Sequence, residues 1–218
     1  MSRFLAPIHY WLFNKVKYHE DLEEQIVSSF KEKYGDGVLD IQKSSAEKYG
    51  EKTPNEDLEN MIDLQNIHGW LQKKIGEAEL RQADIIARLL ENYKEDALSL
   101  LEQVHREVGA KYGAIAKEQL SGAEISPEQI YKTLNDYILD GMPCDNVRQV
   151  VSSDENLLRY VQVQCLHLPY WREVGLDEDI MYSLRAAWVD SFVSSLSPAH
   201  GYEFSREESS QRHDIAAK

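Results

Sequence analysis

The chain of 218 residues contains no run of eighteen apolar residues, so no segment reads as a membrane-spanning helix. Cysteine is almost missing: Cys144 and Cys165 are the only two, far apart and outside any CxxC spacing. That excludes a disulfide framework and suits a reducing compartment, so the expected location is the cytoplasm. Basic residues are outnumbered, with 24 Lys and Arg against 38 Asp and Glu and a formal charge of -14. A polyanion is held by cations that neutralise its phosphates. No basic cluster supplies them here, so neither nucleic acid nor an anionic membrane surface is an expected partner. The N-terminal stretch has one Arg, a short apolar run broken by His9, and no small-residue cleavage site, so no signal peptide is expected. Gly-rich phosphate loops, GxSxG and HExxH are also missing, which leaves no motif for nucleotide hydrolysis or a hydrolase elbow.

Proline is scarce, at 6 residues, while Glu, Lys, Leu and Ala fill the middle of the chain. Both facts favour helix over sheet. Against this background one pattern is written twice. Ile8-His9-Tyr10-Trp11-Leu12 returns as Ile67-His68-Gly69-Trp70-Leu71, an offset of 59 residues. Each copy opens an amphipathic segment, with Leu12, Val16, Ile26, Val27, Phe30 and Tyr34 answered by Leu71, Ile75, Ile85, Ile86, Leu89 and Tyr93. Tryptophan is rare, so its return in register points to an internal duplication, with repeats over 8–50 and 67–113.

Start and stop signals divide the rest into helices. Pro7 suits a first helical turn, and Gly35 and Gly37 stop the segment that follows. Thr53-Pro54 with Glu56, and Ser126-Pro127 with Gln129, both read as capping boxes. Asp145 and Asp154 read as caps of a short helix over 146–151 and a longer one over 155–167. Asp177 opens a last helix that carries Ile180, Leu184, Trp188, Phe192 and Leu196. No segment alternates with period 2, so the expectation is an all-α helical bundle: one domain over 1–204, its C-terminal part over 126–204, and a flexible tail over 205–218.

Residues able to do chemistry gather in two places. His9 and His68 lie at one edge of their stripes, with Trp11 and Trp70 near the other. His19 falls near the centre of the first stripe, where the second copy has Ala78. Helices packed as partners would bring His9 and His68 together, and helical bundles build metal sites from inward-facing ligands in this way. The metal candidates are therefore His9, His19 and His68, and a divalent transition metal is the cofactor they would take. Glu20 and Glu79, also equivalent between copies, fall outside the stripe and read as solvated. The second place is Cys165-Leu166-His167-Leu168-Pro169, a thiol and an imidazole able to serve as nucleophile and base if the helix breaks before Pro169. Cys144 sits in a turn.

The C-terminal third, with Asp140-Gly141-Met142-Pro143-Cys144, Cys165-Leu166-His167-Leu168-Pro169-Tyr170-Trp171, and then Trp188, Phe192 and Leu196-Ser197-Pro198, resembles the aminothiazoline-carboxylate hydrolase-like family of helical bacterial proteins. The resemblance covers roughly 70 residues and implies a small-molecule site near Cys165 and His167 in a helical protein. Two functions follow from the residues. One is a helical protein that binds a small molecule or metal between the duplicated helices, lined by His9, Trp11, His68 and Trp70, with enzymatic activity open. The other is a protein–protein interaction module whose histidines are structural.

Overall fold

The computed structural model describes residues 5–120, 125–206 and 210–218. They pack as two compact units. Unit 1 holds Met1–Leu100, Ile138–Met142 and His167–Asp177; unit 2 holds Leu101–Tyr137, Pro143–Leu166 and Glu178–Lys218. Among the described residues no helix is long and apolar enough to cross a membrane.

Unit 1 is built on two long helices. The first, α1 (Pro7–Tyr34), starts with proline at its first turn and ends where Gly35 takes φ 85°, a left-handed conformation that glycine adopts without strain. A shorter helix, α2 (Gly37–Tyr49), and a single turn, α3 (Leu58–Met61), lead into α4 (Ile67–Gln119). Within unit 1, α4 lies beside α1 and runs in the same direction. The ring of His9 meets that of His68 at 5.6 Å, Phe13 meets Trp70 at 6.0 Å, and at the far end Tyr34 stacks on Tyr93 at 3.9 Å. Leu12, Phe13, Val16, Leu71, Ile75 and Ala78 fill the core between the helix heads, joined by Leu58, Ile62 and Leu139. The remaining helix of this unit is α6 (Leu168–Glu173).

Unit 2 overturns the all-α expectation. Helix takes 66% of the described residues, but 13% are strand. The helix α5 (Pro127–Tyr137) and the last helix α7 (Glu178–Leu196) accompany an antiparallel sheet of β1 (Arg148–Ser153), β2 (Leu157–Gln162), β3 (His200–Arg206) and β4 (Gln211–Ala217), in the order β1-β2-β4-β3. The supposed helices over 146–151 and 155–167 are β1 and β2, and the supposed tail over 205–218 ends β3 and forms the inner strand β4; its residues 207–209 lie outside the described residues. Asp154 accounts for part of the error. Its carboxylate accepts from the amides of Asn156 and Leu157 at 2.8 and 2.9 Å, so it heads the β1–β2 turn. An Asx turn and a helix cap use the same short side-chain acceptor, and the sequence alone does not separate them. Ser126 and Gln129, by contrast, form the reciprocal capping box at the head of α5, with bonds of 2.9 and 3.3 Å.

Period 2 was hidden because polar residues point inward. Along β2 the buried positions are Leu158, Tyr160 and Gln162, and along β4 they include Gln211, His213 and Ile215. Outward positions are not uniformly polar either, since Leu157 and Val161 alternate with Arg159. Tyr131 of α5 meets Tyr160 at 4.9 Å, and Tyr182 of α7 meets Phe204 at 6.1 Å, so both helices cover the sheet face that carries His213.

The second part of α4 packs on α7 through two glycines one turn apart. A Cβ at Gly109 would stand 2.2 Å from the Trp188 carbonyl oxygen, and one at Gly113 would stand 2.3 Å from that of Phe192. Backbone cannot give way as a side chain does. Gly109→Ala should therefore destabilise unit 2 by about 1–3 kcal/mol, the usual cost of overpacking. Urea unfolding followed by near-ultraviolet circular dichroism measures it, and a neutral result would show that the helices are farther apart.

Candidate functional site

Charge is concentrated inside unit 1. Lys15, Glu20, Glu23, Glu79, Arg81, Asp140 and His167 are all at most 8% exposed. Charged side chains are rarely buried this fully unless paired. Glu20 and Glu79, expected on solvated faces, are 2% and 3% exposed, whereas His19, expected at the centre of the stripe, is only half-buried. The inward line on α1 runs through Leu12, Val16, Glu20, Glu23, Val27 and Phe30, one helical face with two carboxylates in it. A helical wheel ranks positions by hydrophobicity, so it rotated the stripe away from these glutamates.

One half of the cluster is organised by Arg81. Its Nε donates to both oxygens of Glu23 at 2.9 Å, Nη2 donates to Glu20 at 3.0 Å, and Nη1 donates to the Gly50 carbonyl at 3.0 Å. Glu20 also accepts from the amide and hydroxyl of Thr53, at 3.0 and 3.1 Å. Thr53 therefore ties the 50–53 segment to α1 and does not cap a helix. Burial pushes the Glu23 carboxyl upward, and the Arg81 charge opposes that shift.

The other half is centred on His167, at the head of α6. Its Nδ1 lies 2.8 Å from Glu79 and its Nε2 lies 2.9 Å from Asp140, with all three side chains at most 5% exposed. The indole of Trp171 stacks on the imidazole at 5.4 Å and 12°. A neutral imidazole has one donor, so both contacts become hydrogen bonds only if the ring is imidazolium or one carboxyl keeps its proton. The imidazole thus stands between two carboxylates within hydrogen-bond reach of both its nitrogens.

The other residues singled out in the sequence are placed as follows. His9 and His68 meet as expected; Nδ1 of His9 accepts from the Ala6 amide at 3.0 Å, and burial followed by the His68 charge lowers its pKa. His68 itself is exposed. Trp11 and Trp70 are half-buried, each with a lysine one turn on over its ring: Lys15 at 3.9 Å and Lys74 at 5.8 Å. His19 stands ten residues beyond His9 on the same helix, about 15 Å along the axis, so the two cannot share an ion. Among the described residues no group of three or more His, Cys, Asp or Glu is placed to hold a metal ion. Cys165 and His167 have different partners. Both nitrogens of His167 are committed to carboxylates, while Cys165 is half-buried in unit 2 and hydrogen-bonds with Tyr182. Cys144 is exposed on the 3-10 turn Pro143–Asp145. Asp140, Glu79 and Arg81 were missed as site residues; the signal available was the matched pair Glu20 and Glu79.

Unit 2 holds a further polar group that the sequence reading had left in the tail. His213 is stacked on its cross-strand partner Tyr160 at 4.4 Å, and its Nδ1 lies 2.7 Å from the Tyr202 hydroxyl. Burial first, and then the charges of Arg148 and Arg185, lower its pKa to about 3. On the opposite face Asp214 pairs with Arg159 at 2.6 Å.

Two outcomes follow. Arg81→Met leaves Glu20 and Glu23 buried without their cation, which should cost unit 1 about 3–5 kcal/mol in urea unfolding. A loss below 1 kcal/mol would mean that the guanidinium is not the tie described. For His213, the folded ring stays neutral while the unfolded ring takes a proton below its ordinary value of 6.5. Its contribution is full above that pH and falls as pH drops toward 3, by up to about 1.4 kcal/mol per pH unit. The stability difference between wild type and His213→Phe should show that slope; a difference independent of pH would refute it. No model of a known protein family matches the chain, and no curated protein matches it.

Proposed function

We propose that this chain binds a small molecule between the paired helices of unit 1 and moves a proton there, with His167 relaying between Glu79 and Asp140. The observation that carries the reading is a buried imidazole with a buried carboxylate at each nitrogen, 2.8 and 2.9 Å away. Buried charges arranged this way are concentrated at functional sites, because fold stability alone is served as well by apolar packing. Trp171 stacked on the imidazole and the half-buried Trp11 and Trp70 supply flat apolar surface in the same unit. The resemblance of the C-terminal third to the aminothiazoline-carboxylate hydrolase-like family points to the same histidine. A duplicated helix unit belongs to the reading. The 59-residue offset links His9 with His68 and Tyr34 with Tyr93 in ring contact, and it matches Glu20 with Glu79.

A second reading, a protein-interaction module, has one observation in its favour. On β1, an edge strand, Val150 and Val151 are 47% and 55% exposed. Exposed apolar edges are templates for pairing with another chain.

A library of small metabolites screened by thermal shift against wild type, His167→Gln and Asp140→Asn separates the two. The expected result is a compound class that raises the wild-type midpoint, has no effect on His167→Gln, and binds Asp140→Asn with a changed pH profile. Stabilisation that is identical in all three proteins, or absent throughout the screen, sinks the proposal.

A further inference from the structure

We propose that the head of α1 is a pH-sensitive latch: the neutral imidazole of His9 closes the first helical turn by accepting from the Ala6 amide, and protonation of His9 opens that turn. The inference shares no residue with the proton relay of unit 1. It begins with a missing cap. The first amides of a helix have no partner within it and are normally satisfied by a side chain at the N-cap. Ala6 holds that position in α1 and has no side-chain acceptor to offer. The side-chain bond at this end runs the other way, from the Ala6 amide to Nδ1 of His9 at 3.0 Å. This is the half of a capping box that glutamine or glutamate ordinarily supplies, made here by a ring that titrates near neutral pH. The head of α4 is closed differently: Oδ1 of Asn66 accepts from the Gly69 amide at 3.2 Å, and an amide side chain does not titrate.

Three features make this turn sensitive to acid. Nδ1 accepts, so the proton of the neutral ring sits on Nε2, and a second proton has to go onto Nδ1, where it faces the amide N–H. Two donors cannot share that bond, so imidazolium and the closed turn exclude each other. His9 is only 8% exposed, which leaves little water to solvate a charge on it. Its ring also lies 5.6 Å from that of His68, and both stand in the first turn of a helix, where the backbone carries partial positive charge. Along α1 the next turn brings Leu12 and Phe13, neither of them charged. Of the elements packed at this end, α4 contributes His68, α3 contributes Glu59 and the 138–142 segment contributes Asp140. The Tyr10 hydroxyl donates to Glu59, and Asp140 lies 2.9 Å from His167, so both carboxylates are engaged elsewhere. Burial and the His68 charge hold the His9 pKa below its ordinary 6.5. The closed turn thus takes the proton less readily than the open one. Opening is favoured as pH falls below 6.5, by up to about tenfold per pH unit until the closed ring itself titrates. The same turn carries Tyr10, so opening it also loosens the tie to Glu59 on α3.

Two measurements on the full-length protein, from about pH 7.5 to about pH 5, test the latch. Long-range 1H–15N spectra, assigned by the signals lost in His9→Gln, give the tautomer and titration of His9. Amide exchange, corrected for its intrinsic pH dependence, gives the opening of the first turn. At the upper pH His9 should be the Nε2–H tautomer. Its midpoint should lie below 6.5, and protection of the Ala6 amide should fall by about tenfold or more across the range. The mid-helix amides of Ile26 and Leu89 should keep theirs. His9→Gln, which supplies an acceptor at the same position without a titration, should keep Ala6 protected throughout. His68→Gln should raise the His9 midpoint toward 6.5. The inference is overturned if His9 is the Nδ1–H tautomer, or if Ala6 protection is indifferent to acid. It is overturned equally if His9→Gln loses protection over the same range as wild type, or if the His9 midpoint does not move in His68→Gln. The wild-type tautomer and exchange decide the matter even if a variant frays. None of these results alters the response of His167→Gln, so failure here and failure of the relay are distinguishable.

Discussion

The guanidinium of Arg81 is the tie on which unit 1 depends. It is 1% exposed and directs four hydrogen bonds to Glu23, Glu20 and the Gly50 carbonyl, so α1, α4 and the 50–53 segment converge on one planar group. Arginine suits this role because its fork is rigid, always charged, and matches a carboxylate with two parallel bonds. A purely apolar seam would hold the two helices together but leave their register loosely specified. With carboxylates at Glu20 and Glu23 and a single donor fork between them, sliding by one turn would strand buried charges. The ring contacts at the two ends, His9 with His68 and Tyr34 with Tyr93, fit the register so fixed.

The same register carries Glu79 inward one turn beyond Ile75, where it meets His167 rather than an arginine. The glutamates at matching positions on the two helices thus have different partners, a permanent cation for Glu20 and a titratable ring for Glu79. A permanent cation fixes structure and nothing else. An imidazole between two carboxylates is the arrangement on which the proposed relay rests, and this difference sets the His167 end of the buried charge apart.

Unit 2 follows a different rule. Its helices cover a sheet face that is not purely apolar, with Gln162, Gln211 and His213 buried on it. Polar groups inside a layered fold are normally satisfied from within. Here Asp214 and Arg159 do so on one face, while on the other Nε2 of His213 has no hydrogen-bond partner among the described residues. The central strand β4 therefore carries a structural ion pair outward and an unsatisfied imidazole inward on adjacent residues.

The sequence by itself determined the helices and their meeting point. Pro7, Gly35, Ser126 with Gln129, and the stripe of α7 act through neighbours within a few residues, so their effect is legible locally. The doubled Ile-His-x-Trp-Leu motif led directly to the contact of His9 with His68. Only the tertiary structure decided the rest. β1, β2 and β4 read as helix or tail because Gln162, Gln211 and His213 face inward while Leu157 and Val161 face outward, and that pattern erases the period of two. Glu20 and Glu79 read as surface because a carboxylate is stable in the interior only when a partner waits there. Their partners, Arg81 and His167, come from 61 and 88 residues away. Local propensity fixes backbone conformation. The burial of a charge depends on distant groups that only the folded chain brings within hydrogen-bond reach.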